Sequence, residues 1–203
     1  FVLEFSLESH DERVRRAFGK PYGNAEVEAT LQAALQAGAR RLDVFFMIGL
    51  AEQTAQSVLD TVAYSGELIE RFGARLHPFI SPLAPFVDPG SRAFEQPERY
   101  GYRFFCRTLE EHRQALVQPS WKYVLNYETE WMNRDQIVDS TYEAGLRLNR
   151  LKAECGVIEQ VQAGRTEARI LKARRLIAQV DDIMSIQDIE RRAKLLRAIK
   201  PQI

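Results

Sequence analysis

The chain has 203 residues, and its hydrophobic, charged and aromatic fractions of 45%, 28% and 10% are those of a globular protein. This composition excludes intrinsic disorder, collagen and disulfide-rich scaffolds. The 28 basic and 28 acidic side chains give a formal net charge of zero, so the overall charge gives no reason to expect binding to nucleic acid or an anionic membrane.

The first half of the chain predicts two consecutive β-α-β units. Alternating apolar residues predict a strand over 1–6, and a near-continuous apolar run predicts a second strand over 41–48, buried on both faces of a parallel sheet. A third strand is predicted over 75–80. Predicted helices over 24–38 and 54–73 connect these strands, so the crossovers should be right-handed.

The second half of the chain is predicted to be helical. A proline-rich segment over 81–102 predicts a long loop, which inside a compact domain is usually functional. Beyond this loop we predict only helices, over 108–117, 134–155, 158–180 and 186–199. No apolar run approaches the roughly 18 residues that a membrane span needs.

Polar residues and a glycine follow the predicted strands. The carboxyl ends of parallel strands meet at one edge of a sheet, so we expect Glu8, Gly49 and Ser81 on one rim. A glycine there lets a flat ligand approach the backbone, whose free N–H and C=O groups can recognise a purine edge. The alternative interpretation is that these turns are ordinary connecting loops.

Three segments together resemble a known enzyme family: FSLESHDERVRRAFGKPY, RLDVFFMIGLAEQTAQSVLDT and RLHPFISPLAPFVDPGS. They resemble the second half of the catalytic barrel of a radical S-adenosylmethionine (SAM) enzyme, of the subgroup with an N-terminal cobalamin-binding domain. The resemblance covers about residues 1–157. In that family the fourth strand ends in a Glu-Ser-like ribose motif, which Glu8 and Ser9 match. The fifth strand carries a GxIxGxxE adenine motif, of which Gly49 matches the second glycine, whereas Phe45, Met47 and Gln53 replace the other positions.

The resemblance implies a fold, a cofactor set and a site. The fold would be α/β, a half TIM-type barrel of three parallel strands over residues 1–105, followed by an all-helical extension over 106–203. The parent enzyme would cleave SAM reductively with a 4Fe-4S cluster, with cobalamin as a second cofactor, and modify or methylate an unactivated carbon. The implied SAM-binding residues are Glu8, Ser9, Met47, Ile48, Gly49, Leu50, Ile80 and Leu83.

The cluster-binding signature of that family is absent. The family holds its cluster with a CxxxCxxC motif, whereas this chain has only Cys106 and Cys155, far apart in sequence. The chain also begins at Phe1 in a strand pattern, without an initiator Met. We therefore expect it to lack the first three barrel strands, to pair with a missing N-terminal half and to be inactive alone. The alternative is a small α/β binding or assembly module without catalysis.

An aromatic-rich segment over 119–131 is a second candidate for function. Such a cluster can form the wall of an apolar substrate pocket, or it can anchor the helical region to the barrel. No residue of the sequence stands out as a general base. The candidate substrate-facing residues are Ser81, Trp121, Lys122, Tyr123 and Asn126.

The histidines give weak signals. His10 lies beside Glu8 and Asp11, where a metal site is conceivable but an ordinary polar loop is the simpler interpretation. His77 precedes a proline in a strand and is interpreted as structural. His112 lies on an acidic helix and is interpreted as solvated.

The most basic stretch, over 165–175, is interpreted as the solvated face of an amphipathic helix rather than a nucleic-acid site. Its apolar stripe over 170–180 and the free edge of the first strand both predict a homo-oligomer. The low cysteine content favours a cytoplasmic location.

Overall fold

The computed structural model describes residues 1–82 and 87–202. Three strands form a parallel sheet in the order β1-β2-β3. They are β1 (Val2–Glu8), β2 (Arg41–Ile48) and β3 (Leu76–Pro82). Two helices lie between β1 and β2, α1 (Glu12–Ala17) and α2 (Asn24–Gln36), and α3 (Ala55–Phe72) lies between β2 and β3. The predicted α/β class and parallel sheet are thus confirmed.

The rest of the described chain is mostly helical. It contains α4 (Arg92–Glu95), α5 (Leu109–Leu116), α6 (Trp121–Val124), α7 (Arg134–Glu154), α8 (Gln160–Met184) and α9 (Ile189–Ile199). Two short strands, β4 (Tyr102–Phe104) and β5 (Tyr127–Thr129), form a separate antiparallel pair. The prediction that the chain is entirely helical beyond the long loop is therefore wrong. Each of these strands has only three residues, and the paired residues of β4 and β5 are more than twenty positions apart in the sequence.

The three-stranded sheet has one face packed against helices. Residues Leu42, Val44 and Phe46 alternate along β2 and are buried against apolar side chains of α2 and α3, such as Leu31 and Leu68. This face, which we call the covered face, contributes the main core of the α/β region because alternate residues of a strand point to one side.

The opposite face of the sheet is only partly covered. Phe45 and Met47 of β2 are half-buried, and their register partners Ser6 and Ser81 are exposed. Phe45 stacks on its neighbour Phe79 with ring centroids 5.0 Å apart. We call this side the open face. The prediction that β2 is buried on both faces is wrong, because a continuous apolar run does not distinguish one covered face from two.

The first of the long C-terminal helices, α7, packs against α3 and β3. Against α3, the Leu151 side chain would lie 3.3 Å from a β-carbon at Gly66. The Lys152 ammonium donates to the Pro78 carbonyl of β3 at 3.2 Å. Gly156, at a φ of +69°, ends α7 as predicted, and α8 then folds back on α7. No helix within residues 1–82 and 87–202 is long and apolar enough to cross a membrane.

Candidate functional site

The carboxyl ends of the three parallel strands form one rim, as predicted. Glu8 of β1 is in register with Phe46 of β2, and Met47 of β2 is in register with Ser81 of β3. Gly49 follows β2 directly. The strand order therefore brings the ends that carry Glu8, Gly49 and Ser81 to the same edge of the sheet.

Glu8 is the most unusual residue of the rim. It is 2% exposed, and its φ of +71° is rare for a residue with a side chain. A shift of the strand register between Ser6 and Glu8 accompanies this conformation. The Lys20 ammonium donates to Oε1 of Glu8 and, at 2.7 Å, to the Ser6 carbonyl. Oε2 of Glu8 is buried and has no hydrogen-bond partner among the described residues, so the carboxylate can accept a further donor.

A buried arginine holds the loop that follows Glu8. Arg15 of α1 has no solvent exposure, and its guanidinium donates to the Ser9 carbonyl at 2.7 Å, the Tyr22 carbonyl at 2.9 Å and the Asn24 side chain at 2.7 Å. Burial lowers the pKa of this guanidinium from its ordinary value. The sequence predicts a loop over residues 8–23, and this prediction is wrong over α1. The only local signal was Asp11, which caps α1 by accepting from the Arg13 N–H.

The Ser9 side chain is fully buried beside Glu8. Its hydroxyl oxygen accepts from the Asp11 N–H at 3.2 Å. The hydroxyl hydrogen remains available as a donor, so Ser9 keeps one of its hydrogen-bonding functions for a ligand.

The turn after β2 is closed by hydrogen bonds within the chain. The buried Gln53 side chain accepts from the Gly49 N–H at 2.8 Å and from the Leu50 N–H at 3.3 Å, and it donates to the Met47 carbonyl at 2.9 Å. The next N–H, that of Ala51, donates to the Tyr102 hydroxyl at 3.2 Å. The N–H groups that we expected to be free to bind a purine edge are therefore already hydrogen-bonded. Gln53 can close this turn because its side-chain amide both accepts and donates hydrogen bonds.

Gly49 adopts a φ of +92°, which favours glycine. A β-carbon at this position would lie 3.3 Å from Cζ of Tyr127 and still closer to its hydroxyl oxygen. The close approach that requires glycine here is thus to β5 of the same chain.

The other predicted SAM-binding residues divide between the two faces. Ile48 and Leu50 have no solvent exposure, and Ile48 lies in the core, so neither side chain is accessible to a ligand at the rim. Ile80 is half-buried and packs against the same core. Met47 is half-buried on the open face. Leu83 lies outside the described residues.

Most of the predicted substrate-facing residues connect elements of the C-terminal region. Trp121 donates to the Tyr142 hydroxyl of α7 at 2.9 Å, and the Lys122 ammonium and Tyr123 hydroxyl both donate to Asp181 of α8, at 2.7 and 2.8 Å. These contacts join α6 to α7 and α8 within the helical region, so they are packing contacts but do not themselves anchor that region to the parallel sheet.

The remaining two candidates lie elsewhere. Asn126 is fully buried, and its side-chain oxygen accepts from the Val87 N–H at 3.1 Å. Ser81 is exposed at the rim end of β3. The five predicted residues are therefore not gathered in one pocket by these contacts.

His10 and the two cysteines do not belong to a metal-binding cluster among the described residues. Nδ1 of His10 lies 2.9 Å from the Thr61 hydroxyl, and burial lowers the pKa of His10. Cys155 packs against the core of the covered face, whereas Cys106 lies near Glu111, which together with burial raises the pKa of its thiol. Within the part of the chain that the structure describes, no group of three or more His, Cys, Asp or Glu side chains could hold a metal ion.

No protein-family model matches this chain, and no curated protein matches it either.

Proposed function

We propose that this chain is the adenosyl-binding half of the partial barrel of a radical SAM enzyme, of the subgroup that also binds cobalamin. Three sequence segments resemble that family, and the three parallel strands have the order expected of consecutive barrel strands. The open face supports the proposal, because the interior of a barrel is the face that its own helices leave uncovered. The parent enzyme would use SAM cleavage to modify or methylate an unactivated carbon.

The observation that carries the proposal is the carboxylate of Glu8. It is buried at the rim, one oxygen is bonded to Lys20, and the other has no partner among the described residues. Hydroxyl or ammonium donors satisfy such an oxygen, and SAM offers both in its ribose and methionine parts. The buried Ser9 hydroxyl beside it fits the same ligand.

The residues present fit only part of the proposed cofactor set. Glu8 and Ser9 fit the polar groups of SAM, and Met47 offers apolar surface to the adenine. The N–H groups of residues 49–51 do not fit a hydrogen-bonded purine edge, because Gln53 and Tyr102 already bind them. Cys106 and Cys155 do not fit a CxxxCxxC cluster site. The cluster ligands, and the groups that bind cobalamin, would therefore come from another polypeptide segment.

The second candidate function is a binding or assembly module without catalysis. One observation favours it: the turn over 49–53 is already closed by Gln53, as in a structural loop. The two functions differ in catalysis, because only the enzymatic function requires that the parent protein cleave SAM.

The test measures SAM binding and SAM cleavage separately. We expect the chain to bind SAM weakly in calorimetric titrations, and we expect Glu8→Gln to weaken this binding about tenfold through loss of a charged hydrogen bond. Glu4→Gln is the matched control, because Glu4 lies exposed on the same strand and its substitution should leave binding unchanged. Equal binding by both variants would contradict the assignment of Glu8.

Cleavage is assayed after anaerobic reconstitution with iron and sulfide. The isolated chain should form no stable 4Fe-4S cluster and should release no 5′-deoxyadenosine from SAM and dithionite, whereas the parent enzyme should do both. Cleavage by the isolated chain would disprove the assignment of the cluster to another segment. A parent that never cleaves SAM would disprove the family assignment.

A further inference from the structure

A cavity of about 360 Å³ lies beside the rim, and none of the contacts described above accounts for it. It is enclosed by the end of α1, by the turn after β2 and by the segment that precedes β4. Its walls are mainly apolar and include Ala17, Ala51, Val87, Ala93 and Tyr102. The volume is at the lower end of the range of about 300–1,000 Å³ that small-molecule sites occupy. Glu8 is not among the described residues that line it.

Tyr102 lines this cavity together with Ala51, and its hydroxyl can donate a hydrogen bond. Its side chain is 5% exposed, and its hydroxyl oxygen accepts from the Ala51 N–H at 3.2 Å. The hydroxyl hydrogen is donated to no described residue. Burial raises the pKa of Tyr102 to about 12, so the hydroxyl stays protonated at neutral pH. A buried donor without an acceptor favours a ligand that carries one.

The charges at the cavity indicate a neutral ligand. Asp88 and Arg92 both line it and are exposed. Neither forms an ion pair with another described residue. Because their charges are opposite, they give the entrance no net attraction for an anion or a cation.

We propose that this cavity binds a neutral, mainly apolar small molecule that carries a carbonyl or similar acceptor for the Tyr102 hydroxyl. The proposal goes beyond the function proposed above, since it requires neither SAM nor a cluster. The two strands of the antiparallel pair would then differ in role, because Tyr102 of β4 lines the cavity whereas Tyr127 of β5 lies against Gly49.

The test titrates the full chain with acetophenone, a neutral aromatic ketone, and follows backbone amide resonances by NMR. Saturable shifts are expected at Ala51 and Ala93. Tyr102→Phe should weaken the binding of acetophenone about five- to tenfold, the loss expected for one hydrogen bond. Tyr127→Phe is the matched control, because it removes a tyrosine hydroxyl outside the cavity, and it should leave the affinity unchanged. Ethylbenzene has a similar shape without the carbonyl, so its affinity should not respond to Tyr102→Phe.

A variant that fills the cavity keeps the proposal testable if Tyr102→Phe does not fold. Ala93→Phe retains the hydrogen bond between Tyr102 and Ala51 but occupies the cavity, and it should abolish saturable binding of acetophenone. The proposal is overturned if acetophenone shifts no cavity resonance up to its solubility limit. It is overturned equally if Ala93→Phe binds acetophenone as the unmodified chain does, or if a folded Tyr102→Phe variant retains full affinity.

Discussion

The hydroxyl of Tyr127 lies against the α-carbon of Gly49, on the side where any other residue would carry its β-carbon. The hydroxyl is fully buried and has no hydrogen-bond partner among the described residues, and burial raises its pKa well above the ordinary range. A neighbouring contact, between the Ala51 N–H and the Tyr102 hydroxyl, joins the same turn to β4. Both strands of the antiparallel pair β4–β5 therefore contact the rim through a tyrosine.

The first prediction concerns the packing of Tyr127 against Gly49. Gly49→Ala should lower the free energy of unfolding by about 3 kcal/mol, of which roughly 1–2 kcal/mol is the cost of a positive φ and the rest is overpacking. Gly38→Ala is the matched control, because Gly38 has the same φ of +92° but no atom within 4 Å of its β-carbon position. Urea denaturation measures both, and the control should lose only the backbone contribution.

A double-mutant cycle tests the cause of that loss. Tyr127→Phe removes a buried hydroxyl without a partner, so alone it should be neutral or stabilising by up to about 1 kcal/mol. Combined with Gly49→Ala it should recover about 1–2 kcal/mol of the lost stability. Strict additivity of the two substitutions would contradict the contact. The branched side chain of Gly49→Val would also collide with Tyr127, so weakened SAM binding by that variant would not identify an adenine site.

The second prediction concerns the arginine that fixes the loop after Glu8. Arg15→Met leaves the buried Ser9 carbonyl and the half-buried acceptors of Tyr22 and Asn24 without their donor, and it should cost about 3 kcal/mol of unfolding free energy. Arg13→Met is the matched control in the same helix, since the Arg13 side chain is 67% exposed, and it should change stability by less than about 0.5 kcal/mol. Chemical denaturation of both variants makes the comparison. A loss for Arg15→Met no larger than that of its control would show that the network is not stabilising.

The sequence predicts the parallel sheet because its signals are local. Glycines at Gly38 and Gly73 follow α2 and α3, and the apolar run of β2 lies between these two helices. The short helix α1 gives little such signal, since in it only Val14 and Arg15 are buried, and carbonyl groups outside the helix, such as that of Tyr22, hold Arg15 in place.

The same distinction explains the outcome at the site. The positions of Glu8, Gly49 and Ser81 follow from strand direction, which a sequence pattern can indicate. The engagement of the rim by Gln53 and Tyr102 does not, because it depends on side-chain conformation and on a pairing between segments far apart in sequence. Shape and side-chain direction therefore decide which rim groups a ligand could use.

The third prediction concerns association through the edge of β1. Phe1 and Val2 are 56% and 48% exposed, and an edge strand with apolar side chains tends to pair with another chain. We expect light scattering to find a dimer or a higher oligomer at concentrations of tens of micromolar. Val2→Lys should shift the chain to monomer, because an edge lysine disfavours strand pairing. Leu171→Lys changes the second candidate interface, the exposed stripe of α8. If the oligomer forms through the edge of β1, this substitution should leave it intact. A monomer before any substitution would contradict the prediction.

The last prediction concerns the pH dependence of stability. Burial lowers the pKa of His10 from its ordinary value of 6.5, and burial together with Arg41 and Lys152 lowers that of His77. The unfolded chain therefore binds more protons than the folded chain between each folded pKa and 6.5. The contribution of these histidines is fully present above 6.5, and it is lost progressively as the pH falls toward the folded pKa values.

Urea denaturation between about pH 7.5 and 5.5 measures this loss, because the interval brackets the ordinary titration of histidine. The free energy of unfolding should decrease as the pH falls, and His10→Gln and His77→Gln should each flatten the decrease. The glutamine amide at position 10 can still hydrogen-bond to Thr61, which limits the change in packing. If both variants retain the slope of the unmodified chain, the half-buried histidines His10 and His77 are not its cause, and carboxylates must supply it instead.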